Sequence, residues 1–427
     1  MRAEANVPAM ILLASAREIA RIQVSFGELQ TRCKIAHPAP RFTWVEPAAT
    51  RRRHAAIIMS RSTSRSTPSV RGGFMSRFVG AFAASSIRPQ LREVVLLGEI
   101  RRALVGAVAG LLALGATAAV AADGPPALVR VNAFPNAKAL PLHAGMATGI
   151  FTERGLKIDL QLTPNSRSQR DGLATGKFDI VHSAVDNALA MAEVGKHDVV
   201  IVAGGDSGMN EFFVQPEIAS FADIRGRILV VDAPDTAYAL QAKKILARNG
   251  LKAGTDYTVR SVGAGVFRLK AMAASKDNAA AILNLPFTVQ AEALGMRSLG
   301  RTIDLLGPYQ AGGIFLMRPW AREHAELLER YIAAYIAALR WTRDPANRTR
   351  SVALLKDRLK LADSEAERTY DLLMDPGFGF TPDAKFDREG FTNVLALRAE
   401  IEGGKPAAPE RYIDLGYYER VLPTVRK

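Results

Sequence analysis

The sequence predicts an α/β protein of two lobes in tandem, closed by a helical layer at its C-terminal end. Three observations carry this. Short apolar runs alternate with helix-forming segments from Leu128 to Leu294, the grammar of strands joined by crossover helices. The alternation starts over after Phe221-Ala222-Asp223-Ile224-Arg225-Gly226. From Trp320 onward the strand-like runs stop and apolar residues recur at three and four spacing, which is helical.

Leu128 to Phe134 alternates apolar and polar residues, and Lys138 to Thr148 follows as a helix after Pro135-Asn136. Gly149 and Gly155 punctuate the turn into a second strand, Leu156 to Leu162. Asn165 to Gly172 is a short helix. Phe178 to Val181 is a third strand, His182-Ser183 a polar corner, and Ala184 to Gly195 a helix capped by Asp186 or Asn187. These units imply a largely parallel sheet. Asp198 to Ala203 is a fourth buried strand running into the loop Gly204-Gly205-Asp206-Ser207-Gly208, which has no nucleotide-binding spacing. Glu211 to Gln215 carries the chain out of the first lobe.

In the second series Arg227 to Asp232 is a strand, and Asp235 or Thr236 caps a helix through about Arg248. Thr258 to Val262 and Ala279 to Leu285 are strands. Val266 to Ser275 is a helix, and another begins with Pro286 at its first position and runs to Leu294. Ile314 to Met317 returns to the first lobe. Ala325 to Arg343 has one apolar stripe of Leu328, Tyr331, Ile332, Tyr335, Ile336 and Leu339, the mark of a helix packed on a lobe. Asn347 to Leu361, Ser364 to Met374 and Arg388 to Glu402 extend that layer. The expected division is 122–209 plus 318–427 for lobe 1 and 210–317 for lobe 2.

The first 121 residues stand apart. They hold 17 of the 56 Lys and Arg, 6 Glu and no Asp, so most of the formal charge of +14 lies there. The rest is close to neutral, which argues against a nucleic-acid-binding surface. Arg101-Arg102, the apolar run from Ala103 and the small-residue end Ala119-Val120-Ala121 have the three-part form of a secretory signal peptide. Residues 101–121 are therefore expected to be cleaved after Ala121, with 1–100 an Arg-rich, disordered extension from a start site placed too far upstream. The lone cysteine, Cys33, lies in that extension. The mature chain thus offers no thiolate nucleophile and no cysteine-bound metal.

Four stretches, 143–158 (H-A-G-M-A-T-G-I-F-T-E-R-G-L-K-I), 172–183 (G-L-A-T-G-K-F-D-I-V-H-S), 221–232 (F-A-D-I-R-G-R-I-L-V-V-D) and 280–295 (A-A-I-L-N-L-P-F-T-V-Q-A-E-A-L-G), carry a family likeness. Through them the chain resembles the exported substrate-binding proteins of ABC transporters, in the nitrate, sulfonate, taurine and thiamine-precursor branch. The resemblance implies a type 2 periplasmic-binding fold, a monomer in the periplasm that closes on a small polar organic or anionic solute. It further implies delivery to an ABC permease in the inner membrane, with no cofactor, metal or nucleic acid.

Carried over by position, the ligand-facing residues are Phe134, Asn136, Arg167, Ser183, Asp186, Asn187, Asp206, Asp235, Thr236, Tyr238, Asn284 and Pro286. Each aspartate reads equally as a helix cap. Were Asp186, Asp206 and Asp235 all to face the cleft they would repel an anion, leaving a neutral, zwitterionic or cationic solute such as an aminopyrimidine open. Arg167 reads as a solvated side chain or a clamp. The alternative function is an enzyme of the same fold acting on a small aromatic or pyrimidine compound. Its related catalysts are associated with cysteines that the mature chain lacks, and no residue is assigned a catalytic role. A sensor domain would need an output module, and none is recognisable in the sequence.

Overall fold

The computed structural model describes residues 125–425. The expected signal peptide at 101–121, the extension at 1–100 and the mature start at 122 lie outside them.

Lobe 1 opens with β1 (Ala127–Ala133), α1 (Leu140–Thr148), β2 (Leu156–Leu162), α2 (Ser166–Ala174), β3 (Ile180–Ala184), α3 (Val185–Glu193) and β4 (Val199–Asp206). Lobe 2 comprises β5 (Asn210–Val214), β6 (Ile228–Val231), α4 (Ala237–Arg248), β7 (Thr258–Ser261), α5 (Gly265–Ala274), β8 (Asn278–Asn284), α6 (Phe287–Ala293), β9 (Arg297–Arg301) and α7 (Thr302–Leu306). The chain then returns through β10 (Gly312–Met317) to α8 (Arg318–Glu323), α9 (Ala325–Arg343), α10 (Arg348–Leu359), α11 (Asp363–Met374), α12 (Arg388–Glu402) and α13 (Gly416–Val421).

The two sheets repeat one plan. Their strand orders are β2-β1-β3-β10-β4 and β7-β6-β8-β5-β9. In each, three parallel strands meet an antiparallel strand arriving from the other lobe, followed by one more antiparallel pairing. Each sheet is therefore mixed rather than largely parallel. The expected lobe boundary at 317 also moves, because β10 hydrogen-bonds to β3 and β4 of lobe 1.

Two expected loops are strand. His182 and Ser183 lie inside β3, where β10 supplies the partners Ile314 and Gly313. Gly204 to Asp206 complete β4, held by β10 on one edge and by Thr381 N–H donating to Gly205 O on the other. Asp186 and Asn187 do not cap α3, whose N-cap is Ala184. Pro286 stands at the N-cap of α6, one position ahead of expectation. β9, rich in arginine, escapes a pattern reading altogether.

Helix α9 runs over the expected residues, and its stripe of Leu328, Tyr331, Ile332, Tyr335, Ile336 and Leu339 is buried. It packs on α1 at close range, since a Cβ at Gly145 would stand 2.9 Å from Ala338 Cβ. Burial of each large apolar side chain contributes about 1.5–3 kcal/mol, so this face anchors lobe 1 to its C-terminal layer.

Candidate functional site: a cavity between the lobes

The carboxyl ends of β1, β3 and β4 face the N-terminus of α4 across a cavity of about 60 Å³. Lobe 1 contributes Phe134, Asn136, Lys138, Ser166, His182, Ser183, Asn187, Asp206 and Tyr335, and lobe 2 contributes Asn210, Thr236 and Tyr238. Direct bonds join the lobes around it. Ala137 N–H donates to Leu285 O (3.1 Å) and Ala264 N–H to Pro164 O (3.1 Å). Arg170 pairs with Asp235 (2.9 Å), Lys244 with Glu400, and the Ser166 hydroxyl donates to Asp232. The lobes are closed on one another.

Local sequence explains the wall. Asn136 turns the chain out of β1 by accepting from Lys138 N–H (3.0 Å). That turn aims Lys138 along the sheet edge, where Nζ meets Asp206 Oδ1 at 2.7 Å and Gly208 O at 2.5 Å. Two of its three N–H groups are thereby engaged. Asn187 joins the first turn of α3 to neighbouring segments, donating to Ser183 Oγ (3.0 Å), Ser166 Oγ (3.1 Å) and Gln169 Oε1 (3.4 Å).

His182 meets the Tyr331 hydroxyl at 2.6 Å through Nε2 and lies against the Tyr335 ring, centroids 4.6 Å apart. Desolvation there lowers its pKa to about 3, so the imidazole is neutral. Both tyrosines have raised pKa values through burial. The site therefore offers fixed hydrogen-bonding groups and the Lys138–Asp206 ion pair. Among the described residues no group of three His, Cys, Asp or Glu is placed to hold a metal.

Of the residues expected to face a ligand, Phe134, Asn136, Ser183, Asn187, Asp206, Thr236 and Tyr238 line the cavity. Five do not. Arg167 is exposed on α2. Asp186 is fully buried behind α3, where Tyr309 Oη donates to it at 3.0 Å and Arg398 Nη1 at 3.3 Å. Burial raises its pKa while Arg398 and Tyr309 oppose the shift. Asp235 faces Arg170, and Asn284 and Pro286 are not among the lining residues. Thr236 occupies the N-cap of α4, but its hydroxyl donates to Ala233 O at 2.9 Å.

Each aspartate thus has its own cation: Asp186 has Arg398, Asp206 has Lys138 and Asp235 has Arg170. The expected repulsion of an anion does not arise. Sequence reasoning passed over Lys138, Asn210 and Tyr335, whereas Ser166 lay in one of the loops expected to face a ligand. Lys138 carried a signal: a lysine in the first turn after a strand end opposes the helix dipole, and a nearby carboxylate resolves the conflict.

A model of the NMT1-like family matches residues 122–356. No curated protein matches the chain. Its structure is similar to that of a Bordetella bronchiseptica protein, with TM-score 0.62 and 18% identity over 70% of this chain and 98% of that one. It is similar to the periplasmic nitrate-binding protein NrtA of Synechocystis, with TM-score 0.59 and 13% identity over 70% and 89%. The alkanesulfonate-binding protein SsuA of Xanthomonas axonopodis bound to MOPS gives TM-score 0.53 and 18% identity over 70% and 96%. The shared architecture is the two-lobed periplasmic-binding-protein fold.

Proposed function

As the chain belongs to the NMT1-like family, we propose that it is an exported solute-binding protein of an ABC importer. It captures a small polar organic or anionic solute between its lobes in the periplasm and delivers it to a permease in the inner membrane. The observation that carries this reading is the cavity itself, walled by both lobes and closed by bonds running directly between them. A solute held there would stabilise the closed arrangement by touching both walls at once, as hinge closure requires.

Catalysis is the weaker reading on this geometry. His182, the one imidazole in the wall, is held neutral and bonded to Tyr331. The named neighbours, a nitrate binder and an alkanesulfonate binder, add an oxoanion-bearing solute to the classes worth screening.

A thermal-shift screen of the full chain tests the proposal, using nitrate, alkyl and aryl sulfonates, taurine, aminopyrimidines and aromatic carboxylates. A solute at 100 times its dissociation constant adds about 2.7 kcal/mol of stability. A saturable hit recovered unchanged supports transport binding. A compound consumed in the assay reverses the proposal in favour of an enzyme.

A further inference from the structure

Among the described residues lobe 2 holds six buried polar side chains with an atom lacking a hydrogen-bond partner, Asn210, Asp232, Gln241, Arg268, Asn284 and Thr288, and three of them concern the region beside Tyr238. Asp232, Arg268 and Asn284 are 4%, 1% and 1% exposed. Asp232 Oδ1, Arg268 Nη2 and Asn284 Nδ2 have no hydrogen-bond partner among the described residues. Leaving one such group unmade costs about 1–3 kcal/mol, and more when it is charged. Three in one wall therefore call for a common explanation.

They are neighbours. Arg268 Nε donates to Ile282 O (3.1 Å) near the end of β8, and Nη1 donates to Gly263 O (3.0 Å) at the start of α5. Asn284 lies two residues beyond Ile282, and its Oδ1 is 3.1 Å from where a Cβ would stand on Gly265, one turn before Arg268. Burial lowers the Arg268 pKa, while Tyr238, which also hydrogen-bonds to it, and then Asp232 oppose the shift; no ion pair joins Arg268 to Asp232 among the described residues.

Each of the three also adjoins a residue of the cavity wall. Asp232 accepts from Ser166. Arg268 lies under the Tyr238 ring, its guanidinium carbon 4.3 Å from the centroid. Asn284 is the register partner of Asn210 across β5 and β8. Tyr238, half-buried, is the partition between the cavity and the guanidinium.

We infer that lobe 2 holds a second polar subsite of the cleft, behind Tyr238 and built from Asp232, Arg268 and Asn284, for a neutral group offering both an acceptor and a donor. A carboxamide or ureido group has that chemistry: its oxygen accepts from Arg268 and Asn284, and its N–H donates to Asp232. A carboxylate satisfies the two donors but meets Asp232 as a like charge, and a ketone leaves Asp232 without a donor. Turning the Tyr238 ring joins the subsite to the cavity. This inference rests on the proposed role in solute binding and names the functional group that the solute carries.

The test uses three probes that share one carboxylate for Lys138 and differ at the other end: succinamate, succinate and 4-oxopentanoate. Calorimetric titration of the full chain is expected to show succinamate binding at least about tenfold more tightly than the other two, the weight of one hydrogen bond to a charged group. Arg268→Met and Asn284→Leu should reduce that preference to within about twofold; the melting temperature should hold for Asn284→Leu and fall for Arg268→Met, which also frees the Ile282 and Gly263 carbonyls. Should Arg268→Met fail to fold, Asp232→Asn provides the same reading, because an amide there accepts a ketone and favours 4-oxopentanoate relative to succinamate. Equal binding of the probes, or variants that lose stability while keeping the preference, would overturn the subsite. If none of the three binds while the wider screen yields a solute without a donor-and-acceptor group, the subsite falls and solute binding stands. Silence in both screens removes the reading beneath it as well.

Discussion

Replacing Arg398 by methionine should destabilise lobe 1 severely, although Arg398 is far along the chain from the sheet it serves. Its guanidinium joins Asp186 Oδ1 (3.3 Å), Glu402 (2.7 Å) and the backbone oxygen of Asp235 (3.3 Å). Asp186 is 0% exposed, and without Arg398 its remaining side-chain partner is Tyr309. Removing one member of a buried ion pair costs about 3–5 kcal/mol, because the other is left charged and dry. For the roughly 300 residues from 125 to 425 that is about 5–8 °C in melting temperature.

The pH dependence gives the sign. Burial already raises the Asp186 pKa and Arg398 opposes that shift, so the variant raises it further. A carboxyl with a raised folded pKa favours the fold when protonated, and that support is lost as pH rises through the folded value. The deficit of Arg398→Met should therefore be largest near neutral pH and shrink on acidification. Asp186→Asn combined with Arg398→Met should recover much of the loss. Thermal unfolding followed by circular dichroism between pH 4 and 8 measures all of this. A single variant within about 1 kcal/mol of the parent at pH 7 would refute the reasoning, since buried unpaired charges cost more than that.

Two further expectations concern the buried histidines and the cavity wall. His182 and His143, with pKa values lowered to about 3 and about 4 by burial, favour the neutral form in the fold. The stability they support is present above the ordinary histidine value near 6.5 and is lost as pH falls through 4 to 3. His182→Gln should therefore show a shallower acid limb when melting temperature is plotted against pH, and an unchanged slope would count against it. A Cβ at Gly312 would overlap Asp206 Oδ2, so Gly312→Ala should displace the Lys138–Asp206 pair. A loss of about 1–3 kcal/mol in stability is expected from overpacking, and calorimetry should show weakened binding of any solute the screen finds.

Legibility of the chain in sequence followed the range of the forces involved. Helix α9 was readable to its ends because its stripe repeats over many turns and needs no distant partner to declare itself. His182-Ser183 and Gly204 to Asp206 were misread as corners because polar residues and glycines disfavour strands locally. The partners that hold them extended come from β10, remote in sequence. The cavity residues split in the same way. Ser183, Asn187 and Thr236 follow from their position at strand ends, where loops and helix starts converge. The burial of Asp186 depends on Arg398 and could not be seen from its neighbours. Arg268 carries no local signal of burial, because the groups that enclose it, Tyr238 and β8, come from other elements.

The place of β10 also orders events during synthesis. In the first sheet β4 touches no strand except β10, so it has no neighbour to join until Gly312–Met317 has been made, after all of lobe 2. Lobe 2 lacks nothing equivalent: its five strands run unbroken from Asn210 to Arg301. It can therefore condense as the ribosome proceeds while β1 to β4 remain an incomplete sheet. Completing that sheet requires closing a loop as long as the whole second lobe, and such distant pairings are slow because chain entropy is spent before contacts form. Strand order alone thus favours completion of lobe 1 after lobe 2, although β1 to β4 come first in the chain.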